Sequence, residues 1–107
     1  MPRQKLLTRE LEAKLPPLRS TDGKDPRDVK VPLKLFNPAG AGSWYCTEFD
    51  PEERVFFGYA EITDGELGYF ALGELEGFRG PLGLGIERDL WWDPGTTLAD
   101  VMAGRVR

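Results

Sequence analysis

Three runs of strand-forming residues follow one another with only turn-length spacers between them, and that succession restricts the chain to an antiparallel sheet. Ser43 to Phe49, Val55 to Ile62 and Leu67 to Ala71 are rich in aromatic and β-branched side chains, which suit extended backbone. The spacers are Asp50-Pro51-Glu52-Glu53 and Thr63-Asp64-Gly65-Glu66, the second a strong hairpin signal. Neither can hold a crossover helix, so the three strands form a meander and not a parallel βαβ unit.

A fourth strand precedes them. Val29, Val31, Leu33 and Leu35 alternate with Lys30, Pro32 and Lys34, a half-buried pattern in which Pro32 argues for a sheet edge or a bulge. In the strand at 43–49, simple alternation groups Trp44, Cys46 and Glu48 on one side and Tyr45, Thr47 and Phe49 on the other. Ile86 to Trp92 reads as a fifth strand, after a glycine-rich loop at Phe78 to Gly85. Short helices are expected at both ends and after the meander. Thr8 caps a helix carrying Leu7, Leu11 and Leu15 on one face until Pro16-Pro17 stops it. Leu72 to Glu76 forms a second, and Thr97 to Asp100 resembles a capping box opening a third. The expected fold is α+β: a meander of four or five strands with short flanking helices, in one domain over residues 1–107.

No stretch reaches the roughly 18 apolar residues of a membrane span, and Thr8, Arg9, Glu10 and Glu12 interrupt any signal-peptide core. A lone Cys46 suits a reducing compartment, so the expected location is the cytoplasm, with no membrane partner. Charge is unevenly spread. Residues 1–36 hold nine Lys/Arg against five Asp/Glu, net +4, whereas residues 37–107 hold five against thirteen, net −8. The acidic body argues against nucleic-acid binding; only the basic N-terminal third, with all five lysines, leaves that reading open.

The chain contains no histidine. That removes Ser-His and Cys-His nucleophile systems and, with one cysteine, zinc and iron–sulfur cages. Gly83-Leu84-Gly85-Ile86-Glu87-Arg88 begins like a dinucleotide fingerprint but carries Arg88 where the last glycine belongs, and no Walker motif is present. No cofactor, metal site or catalytic residue is assigned.

What remains is a set of candidate binding residues. Adjacent aromatics such as Trp44/Tyr45 and Tyr69/Phe70 point to opposite faces of a sheet, and two short helices cannot cover both, so an aromatic band is left for a partner. Glu48 and Asp50 share a face if the strand continues, and Glu74 or Glu87 could join them as acid, base or oxygen ligands. Arg79 and Arg88 offer donor forks for an anion, the simpler alternative being ion pairs with neighbouring acids such as Glu87 and Asp89.

Several strings carry a resemblance over essentially the whole chain: Thr47-Glu48-Phe49-Asp50, Phe56-Phe57-Gly58, Glu66-Leu67-Gly68-Tyr69-Phe70, Glu74-Leu75-Glu76, and Arg79-Gly80-Pro81-Leu82-Gly83-Leu84 through Ile86-Glu87-Arg88-Asp89-Leu90. They resemble a family of small bacterial proteins of unknown function common on plasmids and mobile elements. The resemblance supplies no catalytic residues. It implies a context in which small proteins bind and modulate host defence or replication factors. The leading expectation is therefore a non-enzymatic module that binds a protein partner through the aromatic face and the Arg79–Asp89 segment. The alternatives are a small-ligand or metal-dependent enzyme using Glu48, Asp50, Glu87 and Arg88, and weak nucleic-acid binding through the basic N-terminal third.

Overall fold

The computed structural model describes residues 5–106. Its elements run α1 (Arg9–Lys14), β1 (Leu33–Phe36), β2 (Ser43–Asp50), β3 (Val55–Glu61), β4 (Gly65–Ala71), α2 (Leu72–Gly77), β5 (Glu87–Arg88) and α3 (Leu98–Met102), with short 3-10 turns at Pro26–Asp28 and Pro81–Gly83. The five strands form one antiparallel sheet in the order β4-β3-β2-β1-β5. The fold is α+β, as the strand runs and short turns require. Among the described residues no helix is long and apolar enough to cross a membrane.

Local chemistry sets the helix ends. The Thr8 hydroxyl accepts the Leu11 N–H at 3.2 Å, and Leu15 leaves the helical region directly before Pro16. Thr97 caps α3 by accepting the Asp100 N–H at 3.2 Å. Leu7 and Leu15 are buried and Leu11 packs beside them, so the face of α1 seen in the sequence docks on the sheet.

Two cores result, one on each side of the sheet. On the first face Leu33, Leu35, Cys46, Phe49, Phe56 and Ile86 pack beneath α1 and α2. On the second, Tyr45 packs with Val29, Val31, Leu98 and Val101, flanked by Tyr59 and Trp92. This second cover reaches β1, β2 and part of β3 but stops short of β4.

Three expectations need correction. First, Trp44, Cys46 and Glu48 do not share a face. The β2–β3 register slips between Cys46 and Glu48, and the bulge at Thr47 reverses the alternation. Phe49 therefore joins Cys46 in the first core, while Glu48 turns to the second face with Tyr45. Second, the strand at 29–35 is broken at Pro32, which has no N–H to give a ladder. Val29–Val31 pairs instead with the segment before α3, through Val31 N–H to Thr96 O at 2.9 Å and Leu98 N–H to Val29 O at 2.8 Å. β1 starts one residue after the proline and lies inside the sheet, between β2 and β5, not at an edge. Third, the strand expected over 86–92 is only Glu87–Arg88. The Asp89 carboxylate accepts the Trp91 N–H at 2.9 Å and its carbonyl accepts the Trp92 N–H at 3.3 Å, turning the chain away.

Candidate functional site

The sequence candidates separate into side chains that hold the fold together and side chains that face outward. Tyr45 belongs to the first group. It is buried in the second core with rings of Tyr59 and Trp92 at 6.4 and 5.6 Å, and burial raises its hydroxyl pKa above the ordinary value. Glu48 is 1% exposed. Its carboxylate accepts the Arg19 N–H at 2.8 Å, the Thr21 N–H at 2.9 Å and the Thr21 hydroxyl. Those bonds fasten the loop after α1 to β2, just where β2 outruns β1 and the Phe49 N–H turns to Pro16 O at 3.0 Å. Asp50 shares the Glu48 face, but its carboxylate accepts the Glu52 N–H at 3.0 Å in the β2–β3 turn.

The arginines are also engaged, and both donate to backbone carbonyls. Arg79 donates to the carbonyls of Glu76 and Phe78 at 3.0 and 2.7 Å, so it closes the C-terminus of α2. Arg88 donates to the Lys5 carbonyl at 2.6 Å and ties the N-terminal segment to β5. Asp89 turns to Lys34, whose ammonium lies 3.8 Å from its carboxylate and 5.6 Å from the ring centres of both Tyr45 and Trp92. Lys34 is almost wholly buried, held by one carboxylate and two aromatic faces.

Glu48, Asp50, Glu87 and Arg88 therefore do not form one cluster. Glu48 and Asp50 lie beyond the β2 bulge at one end of the strand, whereas Glu87 and Arg88 pair with Phe36 and Leu35 beside the other end. Among the described residues no group of three or more Asp, Glu or Cys side chains is placed to hold a metal ion.

The outward-facing group is apolar. On the second face of β4, Tyr69 is 62% exposed and Leu67 47% exposed, with Tyr69 edge-on to Phe57 at 5.0 Å between ring centres. Trp44 is half-buried on the opposite face. There it lines a groove of about 380 Å³ with Ile62, Phe70, Leu75, Phe78 and Ile86, and Glu74 stands at the rim. A third apolar region lies in the segment between α2 and the Asp93 turn. Leu82 is 96% exposed and Trp91 95% exposed.

Leu67 and Leu82 were not singled out from the sequence, whereas Trp91 stands in one of its adjacent aromatic pairs. For Leu82 a signal exists: it stands between Pro81 and Gly83 at a left-handed φ of 62°, in a turn that has no inside to point to. For Trp91 the signal is the adjacent Trp92, which takes the one packed position. The Trp92 indole N–H donates to the Val31 carbonyl at 2.7 Å, leaving Trp91 outside.

No curated protein and no solved structure matches the chain. The family comparison does find a match, and it spans all three outward-facing regions: over residues 6–104 the chain belongs to the family described as "Protein of unknown function (DUF2958)".

Proposed function

We propose that this protein is a non-enzymatic interaction module of mobile-element origin that docks a partner protein through its outward-facing aromatic and aliphatic side chains. The observation that carries the reading is the near-complete exposure of Leu82 and Trp91, with Tyr69 and Leu67 uncovered on β4. Large apolar side chains held in water on ordered backbone are a surface on which a partner gains burial, worth about 25 cal/mol per Å² of apolar area covered. The Arg79–Asp89 segment presents Leu82 on a turn that Arg79 anchors to α2 and Arg88 anchors to the N-terminal segment. Of the residues proposed from the sequence, Trp44, Tyr69, Glu74 and Glu87 are accessible to a partner, while Tyr45, Glu48 and Asp50 act as scaffold. A host defence or replication factor is the expected class of partner.

The test is affinity capture of the tagged chain from its host after nuclease treatment, run beside Leu82→Ser and Trp91→Ser variants shown to be folded. A near-stoichiometric protein that is captured by the wild type and lost from both variants is the expected result. Equal capture by all three chains would remove this surface from consideration.

A further inference from the structure

The two edges of the sheet are unequal. β5 is two residues long, whereas β4 runs for seven with a regular register against β3 and contains neither proline nor lysine. Two of the usual devices that protect an edge strand, proline and lysine, are thus missing from β4. Its hydrogen-bonding phase follows from two bonds. The Leu72 N–H donates to the Arg54 carbonyl at 3.0 Å, which makes that pair a hydrogen-bonded one. The Phe57 carbonyl faces β2, where it accepts the Thr47 hydroxyl at 3.0 Å. In an antiparallel ladder the two kinds of pair alternate, so Gly68 and Phe70 bond to β3 while Leu67 and Tyr69 direct their N–H and C=O groups away from the sheet. No described residue takes up those groups.

Charge selects the occupant. From residue 55 to residue 78 the chain has five acids (Glu61, Asp64, Glu66, Glu74 and Glu76) and no Lys or Arg. A second copy pairing β4 with β4 would bring two such acidic segments together, which like-charge repulsion disfavours. We propose that the β4 edge takes an extended basic segment of a partner protein as a sixth, antiparallel strand, bonded to the backbone of Leu67 and Tyr69. Strand addition of this kind draws its affinity from main-chain bonds and its selectivity from alternate side chains. One set packs on Leu67, Tyr69 and Phe57, calling for apolar residues. The other set falls on the face of Glu66, in the acidic run from residue 55 to residue 78, calling for Lys or Arg. The inference rests on the interaction-module reading and names the partner's chemistry at one part of that surface.

A random twelve-residue peptide library displayed on phage and selected against the intact chain tests it, with hits measured by hydrogen exchange and binding titration. The expected hits alternate apolar and basic residues, protect the Leu67 and Tyr69 amides from exchange, and weaken as salt is raised. Tyr69→Pro removes an outward N–H without touching the β3 ladder, a change an edge strand accepts. It should weaken these peptides roughly tenfold or more, and Leu67→Pro should repeat the effect. Hits that are acidic, that bind Tyr69→Pro as tightly, or that protect other amides overturn the proposal, as does a selection that enriches nothing. A concentration-dependent dimer dispersed by Tyr69→Pro would assign the edge to a second copy instead. Neither failure touches the module reading, which stands or falls on capture lost with Leu82→Ser and Trp91→Ser.

Discussion

The carboxylate of Glu48, on the sheet, receives both the backbone N–H and the hydroxyl of Thr21, twenty-seven residues earlier in the chain. With the Arg19 N–H it clasps the loop after α1 to the outrunning half of β2, alongside the Phe49 N–H bond to the Pro16 carbonyl. Glu48→Leu removes the acceptor and leaves two backbone donors poorly satisfied, which should cost about 1–3 kcal/mol. Urea unfolding followed by fluorescence measures it. An unchanged midpoint would mean that water replaces the carboxylate without penalty.

Gly58 and Gly68 face each other across β3 and β4 but differ in what surrounds them. A methyl group at Gly58 would come within 2.0 Å of the Tyr45 carbonyl oxygen, where the bulged strand crosses close, whereas Gly68 has open space. Gly58→Ala should therefore destabilise by about 2 kcal/mol or more through backbone displacement. Gly68→Ala should be neutral or stabilise by up to about 1 kcal/mol through the lower entropy of the unfolded chain. Thermal unfolding of the two variants side by side decides it.

Lys34 and Asp89 should respond unequally to replacement. Lys34→Met keeps the aliphatic stem between Tyr45 and Trp92 and removes the desolvated charge, so its cost should stay below about 1 kcal/mol. Asp89→Ala leaves the buried ammonium without that carboxylate and also removes the acceptor of the Trp91 N–H. A loss of about 2 kcal/mol is expected. Equal midpoints for the two variants in chemical denaturation would contradict this.

Two buried groups contribute to the alkaline limb of stability. Burial raises the Tyr45 hydroxyl above 10.0 and pushes the Cys46 thiol well above 9.0. Both folded-state values lie above the unfolded ones, so the native state holds these protons more tightly. Their contribution is fully present below about pH 9 and is lost as pH rises through the folded values. Unfolding free energy should fall as pH rises above about 9, and Cys46→Ala should flatten part of that fall. A thiol reagent should label Cys46 only as fast as the protein opens; rapid labelling of the native state would show that the core is not closed there.

The adjacent tryptophans should report separately. Trp91→Ser should change stability by less than about 0.5 kcal/mol, because the side chain lies in water. Trp92→Phe removes the donor to the Val31 carbonyl and should cost about 1–2 kcal/mol. Iodide quenching that is strong in a Trp91-only chain and markedly weaker in a Trp92-only chain would agree with this assignment.

Much of the fold was legible along the chain because its signals are local. The reversal after Asp50, the caps at Thr8 and Thr97, and the stop at Pro16 each depend on a few neighbouring residues and appear in the structure. The second reversal falls at residues 62–64, and the expected turn residues Gly65 and Glu66 already pair in β4. The bulge at Thr47 was not legible. Alternation is a property of one strand, whereas a bulge is a mismatch in length between two, and only pairing with β3 revealed it. That single slip moved Phe49 into the core and Glu48 to the opposite face, and so turned a candidate catalytic carboxylate into a clasp.

The sequence by itself determined the α+β class, the meander and the missing chemistry of a chain without histidine, because composition and short-range pattern suffice for each. Only the tertiary structure decided which aromatics stay outside. Tyr45 and Tyr69 are both tyrosines on strands of the same meander, yet one lies beneath α3 and the other faces water. The difference is reach: α3 is five residues long and covers the middle of the second face, leaving Leu67 and Tyr69 of β4 uncovered there.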